Sequence, residues 1–135
     1  MILADSSALI EYYRPAGEPS VQAAVGDAIA ADLLAVNGII QVEIIGFALH
    51  EKERSMLLAD FSAFHQLPLE ASVFALAADL GFDLRRRGRT VPATDLIIAA
   101  SAISSKAELL HTDGHFREIA AGSDLLCRDP RESVF

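Results

Sequence analysis

Residues 92–103, Pro92-Ala93-Thr94-Asp95-Leu96-Ile97-Ile98-Ala99-Ala100-Ser101-Ala102-Ile103, limit the folds open to this chain more than any other stretch. After Asp95 the side chains are apolar or small on every side, interrupted only by Ser101. A helix that is apolar all round belongs inside a fold, and this one is too short to span a bilayer, which needs about 20 such residues. The segment therefore predicts a central buried helix with a carboxylate at its entrance. Desolvating a carboxylate is unfavourable unless a hydrogen bond or a cation compensates. Either Asp95 or Thr94 caps the helix by accepting first-turn N–H groups, or Asp95 faces a functional site. The segment alone leaves both open.

A length of 135 residues predicts one domain, 1–135, around one core. With 52% hydrophobic and 22% charged residues the chain is not disordered. A mean hydropathy of +0.33 is high for a soluble monomer, so some apolar surface is expected to lie under a partner. Gln41, Glu43 and Ser101 interrupt the apolar runs, and no membrane span is predicted. The start, Met1-Ile2-Leu3-Ala4-Asp5, lacks the basic leader of a secretory signal. The single Cys127 allows no internal disulfide and suits a reducing compartment, so a cytoplasmic location is expected. The net charge of -8 argues against nonspecific nucleic-acid binding, which needs cations to displace counterions. An acidic protein can still cut a nucleic acid if a divalent metal and a local basic patch offset its field.

Ile2-Leu3-Ala4 predicts a buried strand, followed by a helix with Ser6 or Ser7 as its N-cap. Asp5 then sits at the carboxyl end of the first strand, the edge where open α/β sheets bind ligands. Ser20 to Leu34 reads as a helix and Leu33 to Val36 as a second short strand. Asn37 is expected to cap a helix running from Ile39 through Leu49, apolar almost all round, with Glu43 as its one acid. Glu43 is either a rim carboxylate in water or a functional one. Ser55 to Phe64 predicts another helix, Gln66 to Leu69 an extended link, and Glu70 to Arg86 a further helix. That helix closes on Arg85-Arg86-Arg87-Gly88-Arg89, the densest positive cluster in the chain. Basic residues and glycine suit a helix C-terminus, but the same arginines could contact a phosphate backbone. Beyond the central helix, Ala107 to Thr112 and Leu125 to Cys127 predict strands, with a helix from Arg117 to Ala121 between them. Alternation of strands and helices predicts an α/β fold with a parallel sheet between helices.

Four acids share one property: Asp5, Glu43, Asp95 and Asp113 each attach to a buried element at or near an end. If the strands carrying Asp5 and Asp113 are neighbours, their ends converge on one edge, and the helices bearing Asp95 and Glu43 can flank it. Carboxylates brought together repel and raise one another's pKa. A hard divalent cation relieves that repulsion, and Mg²⁺ prefers oxygen ligands. Such an ion can activate water and steady charge on a phosphodiester. His50, His65, His111 and His115 lack the spacing of a zinc site. Neither a Gly-rich phosphate loop nor a nucleophilic serine elbow is present.

The opening Met1-Ile2-Leu3-Ala4-Asp5-Ser6-Ser7-Ala8-Leu9-Ile10 resembles that of PIN-domain ribonucleases, above all the VapC toxins of bacterial toxin–antitoxin pairs. Val42-Glu43-Ile44-Ile45-Gly46 is similar to their second acidic motif, and Thr94-Asp95-Leu96-Ile97-Ile98-Ala99-Ala100 to their central helix. Leu109-Leu110-His111-Thr112-Asp113-Gly114-His115-Phe116 resembles their last motif. The resemblance implies a PIN-like three-layer α/β/α sandwich with a central, mainly parallel sheet. It implies Mg²⁺- or Mn²⁺-dependent endoribonuclease activity on structured RNA such as tRNA or rRNA. Asp5, Glu43, Asp95 and Asp113 would be the catalytic and metal-binding acids, with Glu43 positioning the attacking water. Ser6 and Thr112 would support them through their hydroxyls. A homodimer, neutralised by a small VapB-like antitoxin, is also implied. Many relatives carry a further acid where this chain has His115, which bears on a second metal site.

Two other classes compete with a nuclease. A receiver domain also gathers acids at strand ends but needs a lysine nearby, and neither Lys52 nor Lys106 follows a strand. A PIN fold kept only as an interaction module, without turnover, is the other.

Overall fold

Short apolar runs become strands because both faces of a parallel sheet are covered by helices. In the computed structural model, which describes residues 1–132, these runs are β1 (Ile2–Ala4), β2 (Leu34–Val36) and β4 (Glu108–Leu110), and two-residue strands β3 (His65–Gln66) and β5 (Cys127–Arg128), each half-exposed, form the edges. They form one sheet in the order β3-β2-β1-β4-β5, and every pairing is parallel. The chain steps outward from β1 to β3, then crosses to the other side of β1 to add β4 and β5. The strand order therefore reverses between β1 and β4, and open α/β sheets bind ligands beyond the carboxyl ends at such a point. The register Ile2↔Glu108, Leu3↔Leu109, Ala4↔Leu110 sets Asp5 level with His111 just past that edge.

Seven helices cover the sheet: α1 (Ser6–Tyr13), α2 (Pro19–Ala30), α3 (Gly38–Ile45), α4 (Glu51–Ala63), α5 (Ala71–Arg86), α6 (Ala93–Ser105) and α7 (His115–Ala120). The cap of α1 is Asp5, not Ser6 or Ser7, because Asp5 accepts the Ser7 N–H while still in extended conformation. Proline takes the first position of α2, where its missing N–H is no loss. Asn37 caps α3 as expected, accepting the Ile40 N–H at 3.1 Å. The helix then stops at Ile45 rather than running to Leu49, and His50 caps a separate α4. The link expected at Gln66 is partly strand, since Ala35 and Val36 pair with His65 and Gln66 at the sheet edge.

The apolar segment after Asp95 is the core helix it was expected to be. Ile98, Ala99, Ala100, Ser101 and Ala102 of α6 are buried, with Leu3, Leu9, Ile40, Leu109, Leu110 and Phe116 in the same core. Its small side chains let α5 and the sheet approach closely. Lys106 ends α6 in the left-handed region, which places it before β4, at the sheet edge opposite the acids. Lys106 is therefore not positioned as a receiver domain requires. Among the described residues no helix is long and apolar enough to cross a membrane.

Candidate active site

Asp5 leaves β1 with its N–H bonded to the Leu110 carbonyl at 2.9 Å, so the sheet itself fixes its position. Its Oδ2 accepts two bonds from Ser7, from the backbone N–H at 3.0 Å and from the hydroxyl at 2.5 Å. The same hydroxyl accepts the Thr112 N–H at 3.0 Å, tying the end of β1 to the end of β4. Ser6 reaches the other way and donates to Glu43 Oε1 at 2.7 Å, which holds α3 against α1. Ser6 thus supports an acid through its hydroxyl. At Thr112 the backbone makes the contacts instead: its N–H to Ser7 and its carbonyl to Arg131 Nη2 at 3.0 Å.

Asp95 lies in the first turn of α6 but caps nothing. Its Oδ2 accepts instead from His115 Nδ1 at 2.9 Å. Asp113 Oδ1 accepts the His115 backbone N–H at 3.0 Å and lies 3.3 Å from the same ring nitrogen. Buried His111 turns this loop by accepting the Asp113 N–H on Nδ1 at 3.1 Å, edge-on to Phe116. Burial pushes the His111 pKa down and favours the neutral ring, which has one nitrogen free to accept.

Electrostatics join the four acids into one group. Burial lifts the Asp5 carboxyl to about 6 despite its bonds from Ser7, and the charges of Asp95 and Glu43 add to the rise. Burial also raises Asp95, with Asp113 and Glu43 adding and His115 opposing. His115 is raised in turn by its bond to Asp95. The charges of residues 5, 43, 95 and 113 therefore act on one another near the ends of β1 and β4.

Each acid has one oxygen held by a protein donor. Among the described residues, Asp5 Oδ1, Glu43 Oε2, Asp95 Oδ1 and Asp113 Oδ2 accept no hydrogen bond. Oriented hard oxygens with free lone pairs and mutual repulsion are the donor set a divalent cation fits. The tightest group is Asp95, Asp113 and His115, one ligand atom of each lying within 4.8 Å of the others. The resemblance marks His115 as standing where relatives carry a further acid; its bond to Asp95, twenty residues away on another helix, appears only in the fold.

The PIN domain family model matches residues 2–122. The chain is also 32% identical over 128 residues to a VapC ribonuclease of Mycobacterium bovis, a match covering 93% of this chain and 96% of that protein. The chain belongs to the PIN-domain family, among its VapC members. In three dimensions the PIN domain is similar to FitAcB from Neisseria gonorrhoeae, with a TM-score of 0.78 at 23% identity over 96% of this chain and 98% of that one. VapBC-1 from nontypeable Haemophilus influenzae gives 0.78 at 21% identity over 98% and 100%.

Two surface features of this PIN domain bear on how partners could reach it. An apolar groove of about 450 Å³ lies between α1, α3 and α4, with Ile10, Tyr13, Ile44, Phe47 and Leu57 in its walls and Glu43 at its rim. Phe47 and Leu49 are 77% and 90% exposed. The arginines end α5: Arg86 stacks 5.6 Å over the Phe82 ring, Arg89 pairs with Glu118 at 2.9 Å, and Arg85 is exposed. Arg87, Arg89 and Arg117 line a cleft beside α7, the helix that His115 begins.

Proposed function

We propose that this PIN domain is a metal-dependent endoribonuclease toxin of a VapBC pair, which hydrolyses phosphodiester bonds in structured RNA such as tRNA or rRNA. The observation that carries the reading is the gathering of Asp5, Glu43, Asp95 and Asp113 at the sheet's switch point, one oxygen of each fixed and one free. The ribonuclease name of the Mycobacterium relative supports it.

A bound Mg²⁺ or Mn²⁺ would supply charge neutralisation and activation of water. Asp5, Asp95 and Asp113 would hold the ion, with Asp5 kept in orientation by Ser7 and Asp113 by the His115 backbone N–H. Glu43 completes the acidic set and, steadied by Ser6 on Oε1, uses its free Oε2 to align the attacking water and take its proton. Arg85, Arg86, Arg87 and Arg89 would contact the RNA backbone, offsetting a net charge of -8. The apolar groove between α1, α3 and α4 suits a small VapB-like antitoxin, which would cover Phe47 and reach Glu43 at the rim. Association as a homodimer and a cytoplasmic setting complete the proposal.

The test is cleavage of total RNA by the purified chain with Mg²⁺, Mn²⁺ or chelator. Cleavage should need the metal and fall at least about 100-fold in Asp95→Asn, as removal of a charge-stabilising group does. Cleavage that survives chelator or Asp95→Asn would refute the reading. Absence of cleavage with either metal would favour an interaction module.

A further inference from the structure

We propose that His115 is a nitrogen ligand of the divalent ion and biases this site toward Mn²⁺ over Mg²⁺. The inference rests on the reading that the acids hold a metal, and adds which atom completes the set. Nδ1 stands 2.9 Å from Asp95 Oδ2 and 3.3 Å from Asp113 Oδ1. Ions of this class bind nitrogen and oxygen at about 2.0–2.2 Å, so neighbouring ligands at right angles lie about 3 Å apart. Both carboxylates already stand at nearly that spacing from Nδ1, and one ligand atom of each of the three residues lies within 4.8 Å of the others.

The ring is placed by the backbone as well as by Asp95, since the His115 N–H bonds to Asp113 Oδ1 at the start of α7. Asp5 adds to the demand for a cation. The residue is only 4% exposed, and the charges of Asp95 and Glu43 act on it. A carboxylate so desolvated beside others is stabilised by a positive group. Binding uses the Nδ1 lone pair, so the proton shared with Asp95 leaves to solvent and the ion takes its place between the two side chains. Mg²⁺ favours all-oxygen surroundings, whereas imidazole favours first-row transition ions. Mn²⁺ accepts both donor types, which matches two or three carboxylates and one imidazole.

Mn²⁺ bound to the purified chain is examined by electron spin-echo modulation, and Mn²⁺ and Mg²⁺ affinities are measured by calorimetry for the wild type, His115→Asp and Asp95→Asn. The wild type should show ¹⁴N modulation from a directly bound imidazole, lost in His115→Asp. In that variant the ratio of Mn²⁺ to Mg²⁺ affinity should fall by about tenfold or more. Mn²⁺ bound in an Asp95-dependent way without ¹⁴N modulation would overturn the role of His115 alone. Mn²⁺ that fails to bind, or binds equally to Asp95→Asn, would overturn the metal-site reading together with it. The wild-type signal needs no variant to fold.

Discussion

Asp5 serves two ends that pull its charge in opposite directions. Capping α1 favours the carboxylate, whereas burial beside Asp95 and Glu43 favours the acid, and burial wins. A carboxyl raised from 3.8 to about 6 stabilises the fold fully below its unfolded pKa and loses that contribution as pH rises through 6. Without metal, the ionised group therefore weakens the fold by about 3 kcal/mol at pH 7. Asn keeps an acceptor oxygen for the Ser7 N–H and has no charge. In chelator, thermal unfolding of Asp5→Asn should be at least as stable as wild type at pH 7, with the advantage shrinking toward pH 4. A loss of several kcal/mol at pH 7 would instead mark Asp5 as a structural partner. Asp5 could be read from the sequence because a carboxylate straight after a buried apolar run has few bland explanations. The partners of Ser7, His111 and His115 could not, since some of their bonds run to residues up to 105 positions away. A serine expected only to cap a helix gives no hint that its hydroxyl joins two strands.

At the scale of elements, the caps decide where the functional helices point. Asn37 is fully buried and fixes the start of α3, the helix that carries Glu43. Its Oδ1 caps Ile40, but its Nδ2 is buried with no hydrogen-bond partner among the described residues. Removing the cap oxygen costs about 1 kcal/mol, while removing an unpartnered amide recovers part of a desolvation penalty. Asn37→Ser keeps the oxygen and drops the amide, so it should unfold within about 1 kcal/mol of wild type in denaturant titration. Asn37→Ala should be less stable than Asn37→Ser by about 1 kcal/mol, and RNA cleavage should fall further than stability as Glu43 loses its alignment. Equal stability of the two variants would count against the cap. This cap was legible because Asn before an apolar periodic run is a local signal. The end of α3 was not. Apolar residues continue through Phe47 and Leu49, yet the helix ends at Ile45 with Gly46 as its C-cap, where a Cβ would meet the Val42 carbonyl oxygen. Apolar periodicity marks a face that wants cover and does not say whether the core supplies it. Here the core covers Ile40 and Ile44, and Val42, Phe47 and Leu49 are exposed.

Across the whole molecule, the proposed activity requires a chain of net charge -8 to bring a polyanion to a cluster of carboxylates. The order of the four acids along the chain was readable, and their convergence follows from the strand order, which places β1 beside β4 only after the chain reverses direction. The fate of the arginines needed the structure, because a helix end and a phosphate contact have the same sequence. Arg85 is exposed without an ion pair among the described residues, Arg86 is stacked on Phe82, and Arg89 is already engaged with Glu118. Arg87 faces the cleft it shares with Arg117. Contact with RNA phosphates releases counterions, so the logarithm of affinity falls with the logarithm of salt by about 0.7 per contact on single strands and about 0.9 on duplex. Replacing Arg85, Arg86, Arg87 and Arg89 together by Ala should weaken binding of a cleavage-dead Asp95→Asn chain to RNA and flatten that slope by about 0.7 for each arginine in contact. Arg89→Ala alone should change the slope least, because Glu118 already compensates its charge. Binding is read by fluorescence anisotropy with chelator present across a range of KCl concentrations, which separates backbone contact from metal-dependent affinity. An unchanged slope in the fourfold variant would return these side chains to the ordinary task of finishing α5, where the helix dipole favours cations whether or not RNA is bound.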